Sequence, residues 1–246
     1  MISIITATYN SAINIGTLIA SLEQQTSREF EWIVIDGASS DDTLKILAAA
    51  NIEKLTVISE PDRGIYDALN KGISLSNFEY YLIAGSDDYL QPDAIASYSA
   101  VLRQREADLI TAPVLVGDIT IYPQPRFSRY RSGPPTVSSH SVGTVIRKRL
   151  HETFGPYSLD YAIAADTLFL RKVIRSPETR IVFLHNIAGR FGTEGCSSKN
   201  RLRTLTDSFR ANIEAGENLA LQWLLFSCRL IKNWSRIRKD TSSDER

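Results

Sequence analysis

Two adjacent carboxylates, Asp87 and Asp88, follow an apolar run in the segment AGSDDYL, residues 84–90. The preceding residues EYYLI have the composition of a buried strand, so we expect the carboxylates at the mouth of the core. Like charges this close raise each other's pKa and need a cation or hydrogen-bond donors nearby. The pair therefore indicates either a divalent metal site or a hydrogen-bonded turn, and both interpretations stay open at this point.

Polar side chains also follow the other three apolar runs of the first hundred residues. The run ISIITA leads to Thr8, Tyr9 and Asn10, FEWIVID ends at Asp36, and LTVISE leads to Arg63 in EPDRG. Ligands of an open parallel sheet bind outside the carboxyl ends of its strands. Each group has a local alternative, as a turn cap or a surface charge. Because all four strand ends converge on one edge, a binding site is favoured.

The elements that position these groups follow from the spacing of apolar residues. Between the runs, apolar residues recur at helical spacing, as at Ile15, Leu18, Ile19 and Leu22. Repeated strand and helix predict an α/β fold, with a mostly parallel sheet and helices on both faces. The segment QPDAIASYSAVLRQRE then predicts a further helix with Pro92 in its first turn.

The pattern changes after residue 107, and the second half is predicted to be mixed α+β. DLITAPVLVGDITIYPQP predicts a hairpin that turns at Gly117 and Asp118, and RIVFLHNIAGRF predicts one or two strands. IAADTLFLRKVI and most of residues 200–239 are predicted to be helical. We therefore expect a first half at 1–107, a second half of the same domain at 108–198, and a C-terminal helical extension at 199–246.

Composition excludes several classes of protein. Lys plus Arg and Asp plus Glu both number 28 among 246 residues, so the basic excess of a dedicated nucleic-acid binder is missing. Cys196 and Cys228 have no metal-type spacing, which fits a reducing compartment. Since MISIITATYN has a strand pattern in place of a signal peptide, we expect a cytoplasmic protein. No apolar run is long enough to span a bilayer.

Phosphate-binding loops of the common kinds are missing from the sequence. No Gly-x-Gly-x-x-Gly opens the first helix, and there is no Gly-Lys-Ser/Thr loop. A hard divalent cation takes oxygen ligands, needs few of them from the protein, and bridges phosphate oxygens. The apolar strand, the carboxylate pair and the missing loop together favour the metal interpretation of Asp87 and Asp88.

Six segments resemble, in order and spacing, the family-2 inverting glycosyltransferases of bacterial surface-polysaccharide synthesis: SIITATYN, VIDGASSDDT, EPDRGIYDALNKGI, GSDDYL, SHSVGTVIRKRL and IAADTLFLRK. The resemblance runs from about Met1 to Ser198. It implies the glycosyltransferase-A fold, in which a Rossmann-like nucleotide-sugar half precedes an acceptor half. It also implies a UDP- or GDP-linked sugar donor and a glycan or lipid-linked acceptor.

The resemblance also implies roles for individual residues. Tyr9 and Asp36 would contact the base, Asp87 would lie near the ribose, and Asp88 would bind Mn²⁺ or Mg²⁺ that bridges the diphosphate. Further nucleotide-sugar-binding residues would be Thr8, Asn10, Arg63, Asp67, Lys71 and Ser86. Two positions depart from the family pattern, because Ser86 stands at the first position of the Asp-x-Asp motif and Ala165 stands where many members have Glu.

An inverting transfer needs a base for the acceptor hydroxyl and stabilisation of the departing diphosphate. We predict Asp166 as the base, with Asp160 as the fallback. The alternative for Asp166 is an N-cap of the helix DTLFLRKVI, a common position for Asp. His140 in SSHSVG could bind a phosphate or the acceptor, or be structural.

Two segments near the C-terminus have competing interpretations. The stretch NLALQWLLFSCRLIKNWSRIRKD predicts a basic amphipathic helix that suits an anionic membrane surface, or else a helix packed on the core. FGTEGCSSKNR predicts either a loop that closes over the diphosphate or an ordinary surface loop.

Two rival functions remain. A sugar nucleotidyltransferase would have a Gly-rich loop after strand one, where YNSAINIG stands instead. The other rival is a non-catalytic sugar-binding or scaffold domain, against which the presence of Asp88 and Asp166 argues.

Overall fold

The computed structural model describes residues 1–124, 127–128, 131–132, 137–138, 141–192 and 201–243. The strands in this part of the chain are β1 Ile2–Thr8, β2 Phe30–Asp36, β3 Leu55–Ser59, β4 Tyr80–Ile83, β5 Tyr89–Leu90, β6 Leu109–Thr111, β7 Val114–Val116, β8 Ile119–Ile121, β9 Phe127–Ser128, β10 Arg131–Ser132, β11 Thr144–Arg147, β12 Ile181–Phe183 and β13 Gly189–Phe191. The helices are α1 Ile15–Glu23, α2 Thr43–Ala48, α3 Ile65–Leu75, α4 Ala94–Gln104, α5 Leu150–Phe154, α6 Ala165–Arg175, α7 Arg201–Glu214 and α8 Leu219–Ser243.

Seven strands form the central sheet, in the order β3-β2-β1-β4-β11-β6-β12. β1 pairs in parallel with β2 and β4, and β2 pairs in parallel with β3. β11 is antiparallel to both β4 and β6, whereas β12 is parallel to β6. The predicted mostly parallel sheet is therefore confirmed, and the single reversed strand comes from the second half of the chain.

Helices cover both faces of this sheet, as β2 illustrates. All its residues are buried, and alternate side chains point to opposite faces. Trp32 and Val34 join one apolar cluster with residues of α1, α2 and α4, and Ile33 and Ile35 pack with Ala68 of α3 on the other side. Burial on both faces explains why this strand is an almost continuous apolar run.

A second, four-stranded sheet has the order β5-β13-β7-β8. The predicted hairpin turn is confirmed, because β7 and β8 pair antiparallel around Gly117, whose φ is +58°. The segment before it was assigned wrongly, since β6 belongs to the central sheet and Pro113 lies between β6 and β7. RIVFLHNIAGRF forms two strands, β12 and β13, one in each sheet.

The first of the two C-terminal helices, α7, is part of the folded core. Ala211 of α7 is fully buried in the apolar cluster that also contains residues of α6. The Tyr161 hydroxyl donates to Glu214 Oε2 at 2.7 Å, and Lys172 pairs with Glu214 Oε1 at 2.9 Å. Within the helical extension, α7 therefore packs on α6, and α8 packs on α7. None of the helices described is long and apolar enough to cross a membrane.

Candidate active site

The loops after β1 and β2 are joined to each other by short polar side chains. The Asn10 N–H donates to Ser39 Oγ at 2.7 Å, and Asn10 Oδ1 accepts from the Ser40 N–H at 2.9 Å. The Ala12 N–H donates to Asp41 Oδ2 at 3.0 Å. Asn10 has a φ of +47°, a conformation that Asn tolerates better than most residues. The two loops thus form one unit at the carboxyl edge of the sheet.

Asp36 lies fully buried at the end of β2, beside these loops. Its Oδ2 accepts from the Ser39 N–H at 2.8 Å and the Ser59 hydroxyl at 2.7 Å, and its Oδ1 accepts from the Ser39 hydroxyl. A carboxylate has about four acceptor positions, so Asp36 can accept one further donor. The Thr8 hydroxyl next to it along the edge is buried without a hydrogen-bond partner among the described residues.

Tyr9 is 64% exposed and its ring borders Gly37. A Cβ at Gly37 would lie 3.5 Å from the Tyr9 ring and 2.7 Å from Asp62 Oδ2, so a side chain at this position would require the Asp62 carboxylate to move. An exposed ring beside a backbone without side chain is suited to a planar ligand.

Arg63, Asp67 and Lys71 come together at the start of α3. The Asp67 carboxylate lies 3.4 Å from both Arg63 Nη2 and Lys71 Nζ, and Lys71 also pairs with Glu60 at 2.9 Å. The Arg63 N–H donates to Asp67 Oδ2, and this bond above all lowers the pKa of Asp67. These residues form an ion-paired chain beside the central cavity, but they do not line it.

A central cavity of about 330 Å³ opens where β4, α3, α6 and α7 meet. Three carboxylates line it, those of Asp87, Asp88 and Asp166. Most other lining side chains are apolar or carry hydroxyls, and among the described lining residues there is no Lys, Arg or His. The described lining of the cavity is therefore acidic, an environment that favours a bound cation.

Asp88 is only 1% exposed. Its Oδ2 accepts from the Gly85 N–H at 2.7 Å and the Ser141 hydroxyl at 2.9 Å, and its Oδ1 accepts from the Gly192 N–H at 2.8 Å. Burial, with a smaller contribution from the charge of Asp87, raises the pKa of Asp88 to about 6, although these three donors oppose the rise. Both interpretations of the pair thus have a physical basis, since Asp88 holds a turn and still has an acceptor position left.

Gly192 and Ser141 are functional candidates that sequence reasoning missed. A Cβ on Gly192 would lie 2.1 Å from Asp87 Cγ, so any side chain there would displace Asp87. Ser141 lies within SHSVGTVIRKRL, but the sequence alone does not show that its hydroxyl reaches Asp88.

Asp166 is the second residue of α6. The residue before the helix is Ala164, with a φ of +80°, and no side chain caps the helix there. The alternative of Asp166 as N-cap is therefore wrong, because the helix begins one residue earlier. A carboxylate in the first turn is still favoured by the helix dipole.

Tyr66 of α3 also lines the cavity and holds Asp166. Its hydroxyl donates to Asp166 Oδ1 at 2.8 Å. Tyr66 is 7% exposed, and burial together with the charge of Asp166 raises its pKa far above the ordinary value, so it remains a donor. Tyr66 lies within EPDRGIYDALNKGI, but sequence reasoning chose only its charged neighbours.

Behind Tyr66 lies a row of hydrogen-bonded aromatic side chains. His151 Nδ1 lies 2.9 Å from the Gly155 carbonyl and must donate to it, so in neutral His151 Nε2 is the acceptor. Tyr81 then donates to His151 Nε2 at 2.7 Å, and Tyr157 donates to Tyr81 at 2.8 Å. Burial lowers the pKa of His151, which favours this neutral form. The centroids of the Tyr157 and Tyr66 rings are 5.8 Å apart, so Tyr157 packs against the residue that holds Asp166.

The remaining predicted residues lie elsewhere. Asp160 is exposed and does not line the cavity. Ser86 is half-buried between Gly85 and Asp87 and does not line it either. His140 lies outside the described residues, as does most of FGTEGCSSKNR.

A divalent metal fits the chemistry of this site. No group of three or more His, Cys, Asp or Glu side chains with metal-binding geometry occurs in the described part of the chain. A site that shares its cation with a diphosphate needs few protein oxygens, and Asp88 has one acceptor position unused. The oxygen atoms of Asp88 are therefore compatible in kind with a hard cation.

Known proteins share this architecture. Staphylococcus aureus TarS 1-349 in complex with UDP-GlcNAc superposes with a TM-score of 0.66 at 21% identity, covering 97% of this chain and 74% of that one. The mannosyltransferase PcManGT from Pyrobaculum calidifontis, in complex with GDP-Man and Mn²⁺, gives 0.66 at 18% identity, covering 87% and 63%. The fold is accordingly the glycosyltransferase-A fold, as predicted.

Sequence comparison identifies the family. The family model described as Glycosyl transferase family 2 matches residues 3–176. A PGL/p-HBAD biosynthesis glycosyltransferase of Mycobacterium bovis is 30% identical over 233 residues, covering 91% of each chain. This chain therefore belongs to glycosyl transferase family 2, and it is a transferase.

Proposed function

We propose that the chain is a metal-dependent, inverting glycosyltransferase of cell-surface polysaccharide synthesis. It would move a sugar from a UDP- or GDP-linked donor to a glycan or lipid-linked acceptor. The observation that carries the proposal is the cavity that brings the carboxylates of Asp87, Asp88 and Asp166 together. A diphosphate that entered with a divalent cation would meet oxygen ligands at Asp88, and the Asp166 carboxylate in the same cavity would be the group that takes the acceptor proton.

We assign the nucleotide end of the site, where the sugar nucleotide would bind, to the carboxyl edge of the sheet. Asp36 can accept an N–H from a nucleobase with its remaining acceptor position, and the exposed Tyr9 ring can stack on that base. Asp87 would contact the ribose and Asp88 would hold Mn²⁺ or Mg²⁺. When bound, the metal would neutralise the diphosphate as it departs.

The base end of the site is assigned to Asp166. The acceptor hydroxyl attacks the anomeric carbon, its proton passes to the Asp166 carboxylate, and the bond to the diphosphate breaks on the opposite side. One displacement of this kind inverts the anomeric carbon. The Tyr66 hydroxyl orients the carboxylate through Oδ1. Asp160 remains a weaker candidate, because it does not line the cavity.

The relatives support the donor class and the metal. TarS is described with UDP-GlcNAc and PcManGT with GDP-Man and Mn²⁺. The family match favours glycosyl transfer over nucleotidyl transfer. A scaffold without activity would not require Tyr66 to hold Asp166 inside a cavity, so the geometry favours an enzyme over a non-catalytic domain.

Metal-dependent nucleotide binding tests the proposal. Thermal shift and hydrolysis are measured for a panel of nucleotide sugars with and without Mn²⁺, because binding to the folded state raises the melting temperature. In Asp88→Asn the Mn²⁺-dependent part of UDP affinity should disappear, a loss of about tenfold or more, equivalent to about 1.4 kcal/mol. Equal UDP affinity of wild type and variant in Mn²⁺ would exclude Asp88 as the metal ligand.

We further propose that α8 places the enzyme on an anionic membrane surface at the cytoplasmic face, where lipid-linked acceptors would reside. Leu224 is 62% exposed, Ile231 77% and Trp234 61%, although Phe226 packs on Phe209 of α7. Residues 219–239 include five basic and no acidic residues. Apolar and aromatic side chains next to basic ones are the features of interfacial helices.

Vesicle sedimentation tests this second proposal. Wild type should sediment with vesicles that contain phosphatidylserine but not with neutral phosphatidylcholine vesicles. The double variant Leu224→Ser and Ile231→Ser should no longer sediment with the phosphatidylserine vesicles. Ile119→Ser combined with Tyr122→Ser, at exposed positions near β8, is the matched control and should change nothing. Equal sedimentation of the α8 variant and wild type would overturn the proposal.

A further inference from the structure

Asp207 of α7 is a buried carboxylate that the mechanism above does not use. It is 5% exposed and lies outside the region matched by the family model. Its Oδ2 accepts the N–H groups of Ala162 and Ile163, both at 3.1 Å. Arg210 Nη1 lies 3.5 Å from Oδ1. The charge of Asp207 is thus directed at two successive amides of the turn that leads into α6.

That turn determines where Asp166 points. Ala164 follows the two amides and has a φ of +80°, and Asp166 is two residues further on. A residue other than glycine keeps such a conformation only when its surroundings hold it there. Hydrogen bonds from amides to an ionised carboxylate are stronger than those between neutral groups. Asp207 is therefore well suited to hold the turn.

The same helix also forms a wall of the cavity. Thr204 and Ser208 lie one turn apart on α7, on the face that includes Asp207, and both line the cavity with Asp166. Because Asp207 connects α7 to the turn, the cavity wall and the carboxylate of Asp166 are held as one unit.

We propose that Asp207 is a positioning residue, which acts on Asp166 through the amides of Ala162 and Ile163. The proposal rests on the proposed function, in which Asp166 is the base. An anchor that only stabilised the fold would affect the melting temperature. A positioning residue must affect turnover while the nucleotide end of the site still binds normally.

Asp207→Ala and Asp207→Asn are the decisive variants. The probes are UDP with Mn²⁺ for affinity, and hydrolysis of UDP-GlcNAc and GDP-mannose for turnover. Asp207→Ala should lower kcat about tenfold or more with UDP affinity within about twofold of wild type. Asp207→Asn retains an oxygen that both amides can reach, so it should recover most of the rate. Should Asp207→Ala be insoluble, Asp207→Glu, which keeps the charge but shifts the carboxylate by one methylene, should show the same selective loss.

Tyr161→Phe is the matched control, because it removes the bond to Glu214 between the same elements and leaves both amides bound. Its kcat should be close to that of wild type. A normal rate in Asp207→Ala or Asp207→Glu, or parallel losses of rate and UDP affinity, would overturn this inference and leave the proposed function unaffected. Absence of Mn²⁺-dependent UDP binding and of hydrolysis in wild type would overturn the proposed function and this inference with it.

Discussion

Asp36 in the first half of the chain and Asp166 in the second both lie at the end of a core element, but their donors come from different distances along the chain. The donors to Asp36 are Ser39 and Ser59, at most 23 residues away. One donor to Asp166 is Tyr66, 100 residues away. The surroundings of Asp36 are thus built from loops near the strand ends, whereas the surroundings of Asp166 are built by docking of distant elements.

This difference predicts how each end tolerates change. Asp36 keeps other donors when one serine is replaced, and the surrounding loops are joined by several independent bonds. Asp166 depends on a Tyr66 hydroxyl and on the turn that Asp207 holds. We therefore expect single substitutions at the base end to change turnover more than donor affinity.

Asp166→Asn should have the largest effect. Asn is nearly isosteric and can still accept from Tyr66, but it cannot take a proton at neutral pH. We expect a loss of roughly two to four orders of magnitude in turnover, the usual contribution of a positioned base. UDP affinity and melting temperature should stay near those of wild type.

Asp160→Asn is the control for that experiment, at an exposed position outside the cavity. If Asp160→Asn lost the rate while Asp166→Asn kept it, the base would be Asp160. If Asp166→Asn lost UDP affinity together with turnover, Asp166 would contribute to nucleotide binding, and the expected separation of affinity from turnover would be wrong.

Tyr66→Phe should have an intermediate effect. It removes a hydrogen bond to a charged group, worth about 1.5–3 kcal/mol, and leaves the ring in place. We expect kcat to fall about tenfold, since part of that energy is recovered by relaxation, with UDP affinity unchanged. Single-turnover hydrolysis measures the effect.

Tyr80→Phe controls for the general loss of a tyrosine hydroxyl, because Tyr80 donates to the Ala107 carbonyl at 3.0 Å, at the opposite end of β4. Its turnover should be normal. Equal rate losses in both variants would indicate a nonspecific effect and would contradict the role given to Tyr66.

The same contrast explains what the sequence could and could not reveal. Apolar periodicity predicted the sheet, and the residues that follow each strand indicated the nucleotide end. Periodicity contains no information on which distant side chains meet. The donors Ser141 and Gly192 lie 53 and 104 residues from Asp88, and Asp207 lies 45 residues from Ala162, so all three were missed. β6 and β7 are neighbours in the sequence but belong to different sheets, and this assignment depends on pairing with strands that are distant in the sequence.

The smallest expected effect is a pH dependence of the free energy of unfolding. It arises from His151, in the aromatic row behind Tyr66. The folded-state pKa of His151 is lowered by burial, below the unperturbed value of about 6.5. Between those two values the unfolded chain binds the proton and the folded chain does not, so the free energy of unfolding decreases as pH falls. Above about 6.5 both states are neutral, and His151 adds no slope.

Protonation of His151 would turn Nε2 into a donor that faces the Tyr81 hydroxyl, and the bonds from Tyr157 to Tyr81 to His151 would have to reverse. Asp88, whose pKa is raised to about 6, contributes the opposite slope in this window, so the test compares variant with wild type. In urea unfolding, His151→Gln should gain stability relative to wild type as pH falls from about 7.5 to about 5.5, because Gln can accept from Tyr81 without titrating. His185→Gln is the matched control, at an exposed position outside the aromatic row. If the stabilities of His151→Gln and wild type change in parallel with pH, the neutral form of His151 does not hold the row.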